Sequence, residues 1–334
     1  MTPVNNAADN LALNIQDLVL EFGHPPEVVR ALDGVTLAVP GGTILGIVGE
    51  SGSGKSTIGF AAGRLMPDGV RPKSGELTLL GRSVWDIEVE DMQEIRQQEL
   101  RYVFQDPIAT LDPTKRIGWQ VKNAVNPPLS DEDVVNSLQS VGLTDASRVA
   151  AAWPHELSGG MAQRVVIAMA TVGDPKVIIA DEATSALDAS VITRVLELLR
   201  DQSRKRNITL LLLSHNLNAM KRFCDRIAVV YAGRVVEHGP TQEVFNAPAH
   251  PYTQALLAAS AGHEKPGEML HTIPGIPPAL QGASKKCAFE PRCRFALRNS
   301  GEKSCDRTRP EQDNITEDWH ILCHRWRDLQ QESN

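Results

Sequence analysis

Two glycine-led segments in a fixed order constrain this chain more than any other feature: GESGSGKS at Gly49 to Ser56, then LSGGMAQR at Leu157 to Arg164. The first follows an apolar run, Thr43 to Val48, that reads as a buried strand, and precedes residues able to open a helix near Ser56. Gly49, Gly52 and Gly54 let the backbone take positive φ and turn its N–H groups inward. Such a loop between strand and helix is a phosphate cradle. Lys55 is placed to reach β and γ phosphates and Ser56 to offer its hydroxyl to Mg²⁺, while the helix N-terminus adds partial positive charge. A glycine-rich turn that only links strand and helix is the plainer reading, and the full match in strand-to-helix context argues against it. The second segment is a helix start, Ser158 ahead of Met161 to Thr171, which a phosphate cradle alone does not require.

With 334 residues the chain exceeds what one core fills, so one large domain plus a smaller one is expected. A net charge of −7, with no basic block beyond Arg204 to Arg206, argues against nucleic acid as a partner. The longest apolar runs, such as Ile208 to Leu213, fall short of the roughly 18 residues needed to span a bilayer, and Met1 to Asn10 is polar; a soluble chain without a secretory signal is the expectation. Strand-like runs lie at Leu11 to Phe22, Val35 to Val39, Thr43 to Val48, Leu77 to Leu80, Leu100 to Phe104, Val177 to Ala180 and Ile208 to Leu213. A hairpin at Ile227 to Glu237 turns at Ala232 and Gly233. Between Asp106 and Pro175 the pattern turns helical, with Ser130 and Asp133 as a cap box ahead of Val134 to Val141 and Gly142 as the stop. The fold class is therefore α/β with a helical insert. After Gly239 the composition shifts toward Pro, Gly and Cys, and the division is placed at 1–250, with a helical subdomain at about 106–175, and 251–334.

Further groups turn a phosphate site into a hydrolytic one. The apolar run Val177 to Ala180 ends in Asp181 and Glu182, carboxylates at the end of a sheet strand: Asp181 to hold Mg²⁺, Glu182 to polarise the attacking water as general base. Two solvated acids at a strand end are the alternative. His215 closes the apolar run LLLLSH, where an imidazole can contact a γ phosphate or serve structure alone. Gln105 offers an amide that could reach Mg²⁺ or the water.

In this order the segments resemble the ATP-binding subunit of an ABC transporter, a P-loop NTPase with a helical insert subdomain. The resemblance covers Leu11 to Gly239 and matches Walker A at Gly49 to Ser56, the Q-loop at Gln105, the signature at Leu157 to Gln163, Walker B at Val177 to Asp181 followed by Glu182, the D-loop at Ser185 to Asp188, and the switch histidine at His215. It implies that ATP contacts Phe22 through its adenine and Gly49, Ser51, Gly52, Gly54, Lys55, Ser56 and Thr57 through its phosphates, with Mg²⁺ on Ser56, Gln105 and Asp181. It also implies catalysis by Glu182, His215 and Gln105. Ser158, Gly159, Gly160 and Asp188 would serve the ATP of a second ATPase subunit, a copy or a paralogue, docked head to tail. Ala183 stands where a proline commonly follows the catalytic glutamate and Asn216 where an acid follows the switch histidine; neither departure removes a catalytic group.

HPYTQALL at His250 to Leu257 and IPGIPP at Ile273 to Pro278 are similar to the extension of the dipeptide, oligopeptide, nickel and glutathione importer group. Taken alone they are a short helix, Thr253 to Ala259, and a proline-rich loop. Cys287, Cys293, Cys305 and Cys323, with spacers of 5, 11 and 17 residues and no CxxC pair, suit a cluster or tetrahedral zinc, with His320 and His324 as competing ligands and Lys285, Lys286, Arg292 and Arg294 offsetting thiolate charge. In the importer group a CxFxPRC segment and a closing CH pair belong to a [4Fe–4S] motif, which makes a cluster the expectation here and zinc the alternative. Cys224 reads as a buried core thiol. The resemblance implies two transmembrane permease subunits, an extracytoplasmic solute-binding protein, and a peripheral place on the cytoplasmic face of a prokaryotic membrane. Peptides are the expected solute; nickel or a metal chelate, glutathione and opines are alternatives, and a non-transport ATPase accessory to a soluble enzyme complex is a further one.

Overall fold

The computed structural model describes residues 10–23, 28–182, 189–260, 272–278, 282, 284–298 and 304–332. Its strands are β1 (Leu11–Phe22), β2 (Val29–Pro40), β3 (Ile44–Val48), β4 (Pro72–Leu79), β5 (Arg82–Ser83), β6 (Leu100–Val103), β7 (Val177–Asp181), β8 (Thr209–Ser214), β9 (Arg226–Tyr231), β10 (Arg234–Pro240), β11 (Asp313–Thr316) and β12 (Trp319–Ile321). The chain forms two compact units. One gathers the described residues of Met1–Ala12, Pro40–Ile44 and Asp86–Leu213; the other those of Leu13–Val39, Leu45–Trp85 and Ser214–Asn334.

The first unit is built on the parallel strands β6, β7 and β8, with β7 in the middle. All five residues of β7 and all six of β8 are buried, which is why they read as unbroken apolar runs: a parallel sheet covered on both faces leaves no polar alternation. Helices Pro107–Thr110, Ile117–Lys122, Asp131–Ser140 and Ala146–Ala151 form the insert and bury Val121, Leu138 and Val149. Ser130 caps Asp131–Ser140 by accepting the Asp133 amide at 3.0 Å, as the S-x-x-D spacing anticipates. Helix Gly159–Thr171 buries Val165, Val166 and Ile167, and Arg164 reaches back to the Val141 carbonyl at 2.6 Å.

The second unit holds two sheets. One has the order β2, β1, β4, β5, antiparallel between β1 and β4 and between β4 and β5; the other runs β11, β12, β10, β9, β3, parallel only between β3 and β9. The β9–β10 hairpin turns at Ala232 and Gly233, both at positive φ. Strand β2 starts at Val29, earlier than its apolar pattern predicts, because Arg30 and Asp33 are buried there as charged groups. Asp33 accepts from Arg30 Nη1 at 2.9 Å, Arg234 Nη2 at 2.8 Å and Arg309 Nη2 at 2.6 Å. Burial alone would raise its pKa, but the hydrogen bonds from Arg309, Arg30 and Arg234 hold it below the ordinary carboxylate value.

Strands β11 and β12 are not anticipated by the sequence. They anneal to the outer side of β10, pairing Ile321 with Glu237 and His320 with His238. Glu237 is fully buried and accepts from the Ala249 and His250 amides and from Trp319 Nε1, at 2.9, 3.0 and 3.1 Å. Helix Pro251–Ala259 begins two residues earlier than predicted because His250 caps it, Nδ1 accepting the Tyr252 amide at 3.0 Å with Pro251 at the first helical position. No helix among the described residues is long and apolar enough to cross a membrane.

Candidate functional site

The Gly49 to Ser56 loop lies in the second unit, between β3 and helix Lys55–Ala62. Gly52 and Gly54 sit at φ +74° and +108°. A side chain at Gly49 would collide with the Val230 carbonyl oxygen, and one at Gly54 would come within 2.9 Å of the Ala31 carbonyl oxygen, so the loop closes only on glycine there. Gly54 is also the N-cap and supplies no side chain to the first-turn amides, the arrangement that suits a helix start meant for an anion. Lys55 is buried and its Nζ donates to the carbonyls of Gly49 and Glu50, each at 2.9 Å. Ser51 is exposed, Ser56 and Thr57 half-buried. These residues fit a phosphate-bearing ligand: glycine turns, an uncapped helix start and a cation together.

In the same unit His215 follows β8 and is exposed. Asn216 acts locally, capping helix Leu217–Phe223 by accepting the Ala219 amide at 3.0 Å, a position where Asn and Asp serve equally. Phe22 is the half-buried last residue of β1.

The first unit carries the remaining described groups. Asp181, buried, ends β7, and its charge adds to burial in pushing the Tyr102 hydroxyl well above its ordinary pKa. Glu182 follows at φ +44°, a left-handed conformation unusual for a residue with a side chain, with its amide donating to the Leu213 carbonyl at 2.9 Å. Gln105 is exposed in the bend after β6, ahead of the Asp106-capped helix Pro107–Thr110. Ser158, exposed, caps Gly159–Thr171 by accepting the Met161 amide at 3.3 Å; nothing lies within 4 Å of a side chain at Gly159 or Gly160, so their backbone faces open space. Ser185 to Asp188 lies outside the described residues.

Comparison with known proteins supplies the family. The ABC transporter family matches residues 32–185, and the C-terminal region of oligopeptide/dipeptide transporters matches residues 236–299. The oligopeptide transport ATP-binding protein OppD of Escherichia coli (strain K12) is 36% identical over 88% of this chain and 89% of its own length. The chain belongs to the ABC transporter ATP-binding family. Within it, a probable D,D-dipeptide transport ATP-binding protein of the same E. coli strain is 39% identical over 84% of this chain and 88% of itself. A putative peptide import ATP-binding protein of Brucella ovis is 36% identical over 95% and 98%. An ATP-binding cassette solved as a dimer in a post-hydrolysis state with ADP and Pi superposes with a TM-score of 0.61 at 26% identity, covering 69% of this chain and 98% of that one. The fold is that of an ABC-type P-loop NTPase, and the chain is an ATPase of that family.

The cysteine expectation is corrected. Among the described residues no group of three or more His, Cys, Asp or Glu side chains is placed to hold a metal ion, and the relatives above carry ATP-binding transport names without a cluster; neither an iron–sulfur centre nor zinc is supported. Around these cysteines, burial and the neighbouring thiols both disfavour the thiolate form. Burial pushes the Cys287 thiol up to about 11 and Cys323 to about 12, and raises Cys293; Cys305 is buried too, and all four are free thiols. The competing histidines are engaged, His320 Nδ1 with Asn314 Oδ1 at 2.7 Å and His324 Nε2 with the Thr308 carbonyl at 3.1 Å. Arg292 and Lys286 turn to carboxylates, Glu50 and Glu290, instead of to sulfur. Cys224 is a buried core thiol: its Sγ, with Ile227 and Met220, fills the space a side chain at Gly46 would need.

Proposed function

We propose that this chain is the ATP-hydrolysing subunit of an importer of di- and oligopeptides. The observation that carries the reading is similarity along most of the length: relatives named for oligopeptide, D,D-dipeptide and peptide import match it over 84% to 95% of the chain, through the C-terminal region as well as the cassette. The uses of the same machinery for nickel chelates, glutathione or opines, and the accessory role in a soluble enzyme complex, are not favoured by these names.

In this reading residues 1–250 are the cassette and 251–334 the importer-type extension. Phe22 stacks on adenine; Gly49, Ser51, Gly52, Gly54, Ser56, Thr57 and the Lys55 ammonium hold the phosphates. Ser56, Gln105 and Asp181 are the residues that would hold Mg²⁺, which would supply charge neutralisation to the phosphates. Glu182 takes the proton of the attacking water, His215 holds the γ phosphate, and Gln105 orients the water. Ser158, Gly159 and Gly160 aim a hydroxyl, two amides and a helix N-terminus at the γ phosphate of a second ATPase subunit, with Asp188 beside them. ATP then joins two cassettes and hydrolysis parts them, a cycle passed to two permease subunits at the cytoplasmic face, with solute delivered by an extracytoplasmic binding protein. The dimeric ADP-and-Pi cassette supports the pairing by analogy.

The test is Glu182→Gln in the assembled complex. ATP binding is retained while turnover falls at least about a thousandfold, as expected when a general base is lost but its volume and polarity are kept. Full turnover in that variant would refute the assignment, and peptide-independent ATPase activity in reconstituted membranes would refute the importer reading.

A further inference from the structure

One residue of the phosphate loop is gripped by the chain that follows residue 250. The Glu50 carboxylate receives Arg292 Nη1 on Oε2 at 2.7 Å and Nη2 on Oε1 at 3.0 Å, two parallel bonds in the fork geometry that fits guanidinium to carboxylate. The Glu50 amide donates to the Tyr252 hydroxyl at 2.9 Å, so side chain and backbone are both held from the extension.

Arg292 is itself fixed. Its side chain is 4% exposed; Nε donates to the Pro274 carbonyl at 2.8 Å, Nη2 also to Ile273 at 3.4 Å, and Nη1 to the Tyr231 hydroxyl at 3.3 Å. Gly275, at φ +78°, lets the IPGIPP segment pass the arginine stem, where a side chain would come within 3.3 Å of Cγ. Tyr231, Tyr252 and Phe289 pack ring against ring, with centroids 4.5 to 5.4 Å apart. The HPYTQALL, IPGIPP and CAFEPRC strings, separate in sequence, therefore converge on one loop residue. On the other side of that peptide, Lys55 donates to the Glu50 carbonyl.

We propose that the C-terminal extension is a positioning device for the phosphate loop, with Arg292 and Tyr252 setting the Glu50 peptide and thereby the affinity for ATP. The inference rests on the reading of Gly49 to Ser56 as the ATP site. Arg292 touches no nucleotide in this scheme. It restricts the shapes open to the loop, so less conformational freedom is lost on binding. Released from Arg292, the loop samples other shapes and ATP binds more weakly, while the chemistry of the bound complex is unchanged.

The test uses the full chain and a fluorescent ATP analogue with Mg²⁺, followed by ATPase kinetics in the assembled complex. Arg292→Ala is expected to weaken binding about tenfold, the scale of a lost charge-assisted pair, raising KM with kcat within about twofold. Arg292→Lys, a point charge without the fork, and Tyr252→Phe are each expected to weaken it about threefold. The double variant Glu50→Arg with Arg292→Glu is expected to recover most of the affinity lost by either alone, which a purely structural arginine would not do. Should Arg292→Ala fail to fold, Arg292→Lys and Glu50→Gln decide the same question. Lys55→Ala is the control: retained binding in that variant overturns the ATP reading itself. Binding lost in Lys55→Ala but of wild-type strength in the Arg292 and Glu50 variants overturns the positioning role alone.

Discussion

Acid sensitivity follows from His250. Its ring is buried against Phe289, caps helix Pro251–Ala259 through a bare Nδ1, and burial lowers its pKa from 6.5 to about 3. The unfolded chain takes up a proton as pH falls through the ordinary histidine value, whereas the folded chain does not until about pH 3. Between those values the unfolded state binds more protons, so stability falls on acidification, with a slope that approaches about 1.4 kcal/mol per pH unit as the unfolded histidine becomes fully protonated. From about pH 7 to about pH 5 the loss is about 2 kcal/mol, and it is insensitive to where below pH 5 the folded value lies. Other groups add to the pH profile. His238, also buried and lowered to about 3, adds a loss of the same sign, while Glu237, raised by burial, contributes with the opposite sign. His250→Asn isolates the one contribution, because asparagine can accept the Tyr252 amide as a cap but does not titrate. Urea unfolding followed by circular dichroism at about pH 7, 6 and 5 should show wild type losing about 2 kcal/mol more than the variant across the range, an average slope steeper by about 1 kcal/mol per unit. Equal slopes would mean that folded His250 protonates like a solvated histidine and that its burial does not hold it neutral.

Two further outcomes can be checked directly. Asp33→Ala removes the acceptor shared by Arg30, Arg234 and Arg309 and leaves three guanidinium groups facing one another; a loss of about 3 to 5 kcal/mol in denaturant stability is expected, and a loss under about 1 kcal/mol would refute the view of Asp33 as their common counter-charge. In the phosphate loop, Gly49→Ala and Gly52→Ala should differ: the first meets the Val230 carbonyl and should abolish nucleotide binding, whereas the second has open space and carries only the positive-φ strain of about 1 to 2 kcal/mol, with binding weakened but measurable by titration.

The elements most legible in the sequence were those whose signal is local. Ser130 and Ser158 announce helix starts because a short side chain must meet an amide three residues on. The strands of the parallel sheet announce themselves because burial on both faces leaves no room for polar residues. What escaped depends on partners distant in sequence. The start of β2 carries Arg30 and Asp33, whose burial makes sense only with Arg234 and Arg309 in place. Strands β11 and β12 are short and partly polar, and Asp313 to Thr316 has no apolar alternation to detect. Arg292 lies between two cysteines and reads as a companion to them; only the folded chain shows that its carboxylate is Glu50. The cysteine expectation failed for a related reason, since spacing along the chain says nothing of how side chains are placed in space.

The pairing of β12 with β10 has a consequence for how the molecule meets others of its kind. A strand with one side unpaired is a template on which a foreign strand can add, and a buried strand such as β10 would be an inviting one. Here that side is occupied, and the new outer strand is a poor template: four residues long, broken in register between Asn314 and Thr316, and bearing Asp313, to which Trp326 and Arg327 donate. Sheet growth is thereby stopped by a few half-polar residues of the tail. The extension that reaches inward to the phosphate loop also keeps the sheet from recruiting its neighbours.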